Sequence, residues 1–337
     1  MIYQMRSPLL LLSLTRAVLA ARPFLNEPDT GFDGYFAGLE VGDLAPLDTL
    51  VGLPDFEEAA RRRLPIANYT YYRNGAADEW SYRNNLRTTI LGHNFSAPFF
   101  IAPCARGDYG NIDSEKGLVE AAAAEDILPS VSAFLSIEQI AAYKADGQVT
   151  FQQAYLNSNA VVFTVDSSAN GNRQRAARYD VSLTRSILTA AKWELYEHLK
   201  SLTNIPIVLK GIQAVEDARL AVKHGAPAIY LSNHGGRQID GSRSPLEVAI
   251  KINEKDPAIF KEVEVYADGG VRYSSDVIKM LALSVRAVGI GPPFMFANVW
   301  GTEGVTRAIR LLTTEIGLDA ANMGIPDLKN IDQSIAY

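Results

Sequence analysis

A chain of 337 residues, 47% of them hydrophobic, holds enough apolar side chains for one large domain or two ordinary ones. The formal net charge of -6 gives no basic surface for nucleic acid or an acidic membrane, which leaves small molecules as the expected ligands. One cysteine, Cys104, and four scattered histidines exclude an internal disulfide framework and a thiolate metal cluster, so no metal is expected. Residues 1–22 carry Arg6 and Arg16 around a leucine-rich run, with no acid before Glu27. That pattern reads as a targeting segment, secretory signal or mitochondrial presequence, and its apolar run is too short for a membrane span. Residues 23–53 are rich in Pro, Gly and Asp and read as an arm, leading into a first helix over Phe56 to Tyr72.

From Pro98 onward, short apolar runs alternate with helical stretches, the sequence signature of parallel strands and their crossover helices. Strands are expected at Phe99–Ala102, Leu128–Val131, Thr150–Tyr155, Val161–Val165, Ile207–Leu209, Ile229–Leu231, Val263–Ala267 and Ala287–Ile290. Helices are expected at Glu115–Glu125, Ser136–Ala145, Lys192–Leu202, Val215–His224, Pro245–Lys255 and Ser274–Leu283. Eight strands alternating with helices favour an α/β fold of the (β/α)8 TIM barrel type over residues 54–337. In such a barrel the chemistry gathers past the C-terminal strand ends, and the reactive residues of this chain fall there.

After strand six comes Ser232-Asn233-His234-Gly235-Gly236-Arg237-Gln238. A neutral imidazole takes a proton near pH 7 and a guanidinium grips a carboxylate with two parallel hydrogen bonds, so His234 and Arg237 make a base and an anchor for a hydroxy acid. Asp166, ending strand four, reads either as a helix cap or as the carboxylate that orients the imidazole. Lys210 follows the apolar Ile207-Val208-Leu209, where an ammonium either meets an anion such as a reduced flavin edge or snorkels to the rim. Asp268-Gly269-Gly270 and Gly289-Ile290-Gly291 place glycine backbones after strands seven and eight, the usual phosphate site of this fold.

These segments resemble the FMN-dependent 2-hydroxy-acid oxidases and dehydrogenases, a family that includes glycolate oxidase, lactate oxidase and the flavocytochrome lactate dehydrogenases. The likeness rests on Ser232–Gln238, Pro206–Gly211, Ala218–Ala221 and Asp268–Arg272, and upstream on Tyr69–Tyr72, Ile101–Pro103, Gln153–Tyr155 and Thr164–Asp166. It implies that His234 is the base, with Asp166 as its partner and Tyr155 on the substrate hydroxyl. It further implies a carboxylate clamp of Tyr71, Arg173 and Arg237. FMN is then held near Pro103 and Ala105, by Ser130, Gln153, Thr164, Lys210 and Ser232, and by Asp268, Gly269, Gly270, Arg272 and Gly291. The implied reaction turns a small 2-hydroxy acid into a 2-oxo acid. Molecular oxygen is the expected acceptor, giving hydrogen peroxide, since no haem-binding domain precedes the barrel. Whether the protein is a homo-oligomer is left open.

Three departures from the family pattern set further expectations. Between Leu86 and Thr88 the stretch that closes the barrel floor is nearly missing, so the floor is expected to be open. Only five residues separate Tyr155 from Val161, too few for a helical crossover, so strands three and four are expected to merge or pair differently, unless a segment is missing from the sequence. Pro292 stands where the family carries an arginine for the FMN phosphate, and the loop after Arg173 is short, which bears on substrate size.

Overall fold

The structure is a computed structural model that describes residues 38–73, 90–131, 137–153, 159–167, 171, 173, 191–325, 327–328 and 331–336. Parallel strands covered on both faces need apolar residues at nearly every position. The short runs that meet this demand become β1 (Phe99–Ile101), β2 (Leu128–Val131), β3 (Phe151–Gln153), β4 (Ala160–Thr164), β5 (Ile207–Ile212), β6 (Ala228–Leu231), β7 (Glu264–Asp268) and β8 (Ala287–Ile290). They form a closed ring in chain order, sealed where Phe99 of β1 pairs with Val288 of β8. This is the (β/α)8 barrel expected from the sequence.

Strand alternation divides the core into two layers. Phe100, Val162, Val208, Tyr230, Tyr266 and Ala287 point into the barrel, where the Phe100 ring meets Tyr230 edge-on at 5.6 Å. Their neighbours Phe99, Ile101, Ile207, Leu209 and Val288 point outward against the helices. Before the barrel stand α1 (Leu53–Arg63) and α2 (Ile66–Arg73). The single helix expected over Phe56–Tyr72 is thus broken, because Pro65 cannot continue a helix begun before it. Around the ring follow α3 (Lys116–Ala124), α4 (Ile137–Tyr143), α5 (Trp193–Leu202), α6 (Val215–Lys223), α7 (Pro245–Lys255), α8 (Ile259–Glu262) and α9 (Ser274–Ala282). After β8 come α10 (Pro292–Ala297) and the long α11 (Gly301–Asn322), which buries Val305, Ala308, Ile309, Leu312 and Ile316 at helical spacing. Leu50, ahead of α1, is buried, and α11 fastens its carbonyl with Arg307 Nε at 2.8 Å.

Two expectations about the barrel are corrected. β3 and β4 neither merge nor pair abnormally: Phe151, Gln152 and Gln153 lie parallel beside Ala160, Val161 and Val162. The lower end of this seam is pinned by Asn159, whose N–H donates to the Thr150 carbonyl at 3.0 Å while its Oδ1 accepts from Thr150 N–H at 3.1 Å. The floor is also not open. Ile90 and Leu91 lie beneath the inner layer, and Leu91 N–H donates to Glu264 Oε2 at 2.6 Å and to the Tyr266 hydroxyl at 3.0 Å.

Candidate active site

β6 delivers the Ser232–Gln238 segment into a tight turn. His234, Gly235 and Gly236 all adopt left-handed backbone angles (φ 60°, 64° and 67°), which explains the glycine pair and costs His234 about 1–2 kcal/mol. Side chains hold the turn: Asn233 Oδ1 accepts from Gly236 N–H at 3.0 Å, and Ser232 Oγ accepts from His234 N–H at 3.0 Å. Downstream, Ser244 and Glu247 cap α7 reciprocally, which anchors the far end of the loop.

The turn sets the imidazole against β4, with Nδ1 3.0 Å from Asp166 Oδ1. The Asp166 side chain is 2% exposed. Burial pushes its carboxyl up, but the His234 hydrogen bond and the charges of His234 and Lys210 outweigh this and hold it below the usual carboxylate range. An ionised Asp166 accepts the proton on Nδ1 and leaves Nε2 as the open basic position. Of the two roles read from the sequence, the structure therefore shows the orienting carboxylate. Room for it comes from β5. Gly211 is an extra residue in the pairing with β6, and at φ 113° it brings its bare Cα against Asp166, where a Cβ would lie 2.6 Å from the carboxylate carbon.

Tyr71, Arg173 and Arg237 come together at the same pocket. Arg237 Nη2 donates to the Tyr72 carbonyl at 2.6 Å, and Arg173 Nε donates to the Arg237 carbonyl at 3.2 Å. Burial, with the neighbouring Arg237 charge, lowers the Arg173 guanidinium to about 10, and burial raises the Tyr71 phenol. Among the described residues neither arginine pairs with a carboxylate. Two adjacent guanidiniums without a counter-ion form a receptor for an anion.

Lys210 lies deeper, with its ammonium 3.0 Å from Asp268 Oδ2 and donating to Ser232 Oγ at 2.7 Å, while Ser232 donates to Asp268 Oδ1 at 2.6 Å. Burial lowers the lysine, but Asp268 and Asp166 more than restore it, so the charge is retained inside the barrel. Gln153 lines the pocket and donates to Thr164 Oγ1 at 2.8 Å. Pro103, Ala105, Gly269, Gly270, Arg272 and Gly291 complete the lining, while Ser130, on β2, is buried with no hydroxyl partner among the described residues. Tyr155 lies outside the described residues.

The FMN-dependent dehydrogenase family model matches residues 83–191 and 181–337. The chain belongs to the FMN-dependent dehydrogenase family. It is 30% identical to an L-lactate dehydrogenase (cytochrome) of Wickerhamomyces anomalus, over 85% of this chain and 61% of that protein. It is also 30% identical to 2-hydroxyacid oxidase 1 of Homo sapiens, over 86% of this chain and 97% of that one. The chain thus spans less than two thirds of the cytochrome-type relative and nearly all of the oxidase. Among solved structures, the flavin-binding domain of baker's yeast flavocytochrome b2 superposes with a TM-score of 0.79 at 30% identity, covering 87% of each chain.

For this member of the FMN-dependent dehydrogenase family, the ring end of the pocket fits the cofactor. Gln153 and the charged Lys210 line this end and offer polar contacts to a flavin ring, and the bare Gly291, where a Cβ would strike Cys104 Sγ at 2.7 Å, keeps the wall thin. Sequence reasoning missed several contributors. Cys104 lines the pocket between two residues already singled out, and burial pushes its thiol up to about 11, so it stays uncharged. Gln238 donates to the Asp166 carbonyl at 3.1 Å, and its position beside Arg237 was the available signal. Gly211 could have been suspected from its place directly after a buried lysine.

Proposed function

We propose that this protein oxidises a small 2-hydroxy acid to the 2-oxo acid, and that molecular oxygen receives the two electrons and two protons to leave as hydrogen peroxide. The observation that carries the reading is the pairing of a carboxylate-backed imidazole with two guanidiniums that meet no carboxylate among the described residues, all lining one pocket. Arg237 and Arg173, with the Tyr71 hydroxyl, hold the substrate carboxylate and so fix which carbon faces His234. His234 Nε2 takes a proton from the substrate, and Asp166 stabilises the imidazolium that results. When bound, FMN supplies the two-electron acceptor. Lys210 keeps a positive charge at the ring end of the pocket, where negative charge develops.

A flavocytochrome b2 variant with pyruvate bound, a 2-oxo acid, superposes on this chain with a TM-score of 0.79, which supports the product class. Oxygen as acceptor is supported by the near-full-length match to 2-hydroxyacid oxidases. The test is a spectrum of purified protein followed by substrate. The expected result is a flavin absorbance that bleaches anaerobically with a 2-hydroxy acid, then oxygen uptake matched by peroxide. Bleaching with turnover only on an artificial or cytochrome acceptor reassigns the acceptor. Flavin that no 2-hydroxy acid bleaches removes the substrate reading.

A further inference from the structure

The two ends of the flavin pocket are unequally equipped. In (β/α)8 barrels phosphate usually sits on the loops after strands seven and eight, at the N-terminus of a short extra helix. Here that helix is α10, and it opens on Pro292 and Pro293, neither of which has an N–H. The next two donors are already used, since Phe294 and Met295 N–H both go to the Gly291 carbonyl, at 3.0 and 3.3 Å. The loop after β7 offers little more. Arg272 and Tyr273 N–H both donate to the Asp276 carboxylate, at 3.1 and 3.2 Å. The Arg272 side chain donates to the Val271 carbonyl at 2.7 Å and faces Glu57 Oε2 at 3.6 Å. Glu57 also binds Arg73, at 2.7 Å, and so is itself fixed in place. A phosphate here meets two ring nitrogens without hydrogen, and backbone donors and a guanidinium already engaged with carboxylates.

We infer that this pocket selects its cofactor by the ring system and takes riboflavin nearly as well as FMN. The inference rests on the flavin reading of the site proposed above. The phosphate is left with neutral backbone donors of the Gly269–Gly270 turn, whose net gain over water is small. An arginine fork or a helix with open N–H groups would instead supply charge-assisted bonds.

The experiment is a competition. The full-length protein is equilibrated with an equimolar excess of FMN and riboflavin, freed of unbound flavin by gel filtration and denatured, and the released flavins are separated and quantified. The expected ratio of FMN to riboflavin is below about tenfold, the worth of one net hydrogen bond. Pro292→Arg is expected to move the ratio toward FMN by about tenfold or more. Glu57→Gln, which releases Arg272 without touching α10, is expected to move it the same way and serves if the first variant does not fold. A wild-type ratio above about tenfold overturns the inference while leaving the flavin site intact. Protein that retains neither flavin overturns both the inference and the proposed function.

Discussion

The half of the pocket built by β4, β5 and β6 differs from the half built by β7 and β8 in where its polar groups point. After β4–β6 the charges are braced from behind and open in front: Asp166 backs His234, the Tyr72 carbonyl backs Arg237, and among the described residues neither Arg173 nor Arg237 meets a carboxylate. After β7–β8 the groups satisfy one another, with Arg272 held toward Glu57 and the α10 donors closed onto Gly291. A polar group already paired within the protein gains less on binding than one whose partner is missing. The first half therefore offers a receptor for an anion, whereas the second offers few open polar groups.

The comparison is broken most directly at His234. His234→Ala is expected to slow substrate-driven flavin reduction by ~10²–10⁴-fold, the usual range for a general base, with flavin still bound. Stopped-flow bleaching checks this, and an unchanged rate would move the base elsewhere. Arg237→Lys keeps the charge but loses the fork, so KM should rise by ~10-fold or more with a smaller change in kcat. Equal KM for both proteins would place the carboxylate receptor outside this half.

Gly211→Ala sharpens the comparison by attacking the brace rather than the reacting groups. A Cβ at φ 113° and 2.6 Å from Asp166 should cost ~1–3 kcal/mol of stability and lower turnover, whereas Gly317→Ala, with open space around it, should do neither. Thermal melts of the two variants separate the cases. The smallest effect concerns acid. Because the Asp166 carboxyl is held below its ordinary value, its contribution to stability is complete above about pH 4 and is lost as pH falls through the lower folded value. Asp166→Asn should flatten that part of the stability curve in urea titrations between about pH 5 and pH 2. An unchanged acid slope would mean that the pair carries no such linkage.

Much of this arrangement was legible in the sequence, for a physical reason. Strands buried on both faces leave uninterrupted apolar runs such as Ile207-Val208-Leu209, and chemistry at their ends follows directly, as with Lys210 and His234. Features that depend on distant partners were not legible. The hold of Glu57 on Arg272 joins residues far apart in the chain, and neither neighbourhood announces it. The use of Gly211 depends on a pairing irregularity with β6, of which its place after a buried lysine is only a hint. The β3–β4 seam departs from the expectation because Phe151–Gln153 pairs in ordinary parallel register with Ala160–Val162, which a count of the residues between them does not reveal. The break at Pro65 was readable and shows a proline outweighing apolar periodicity on either side of it.

The turn at Ile90–His93 acts as a cork. It comes from ahead of β1, and its backbone is tethered to Glu264 and Tyr266 of β7, two strands round the ring. Whenever that tether parts, water gains a route to the buried Tyr230 and Tyr266, so the dryness of the lower barrel depends on this small turn as well as on the strands around it. Deuterium uptake at the inward-facing amides should accordingly follow the opening of this turn more closely than the unfolding of the whole protein.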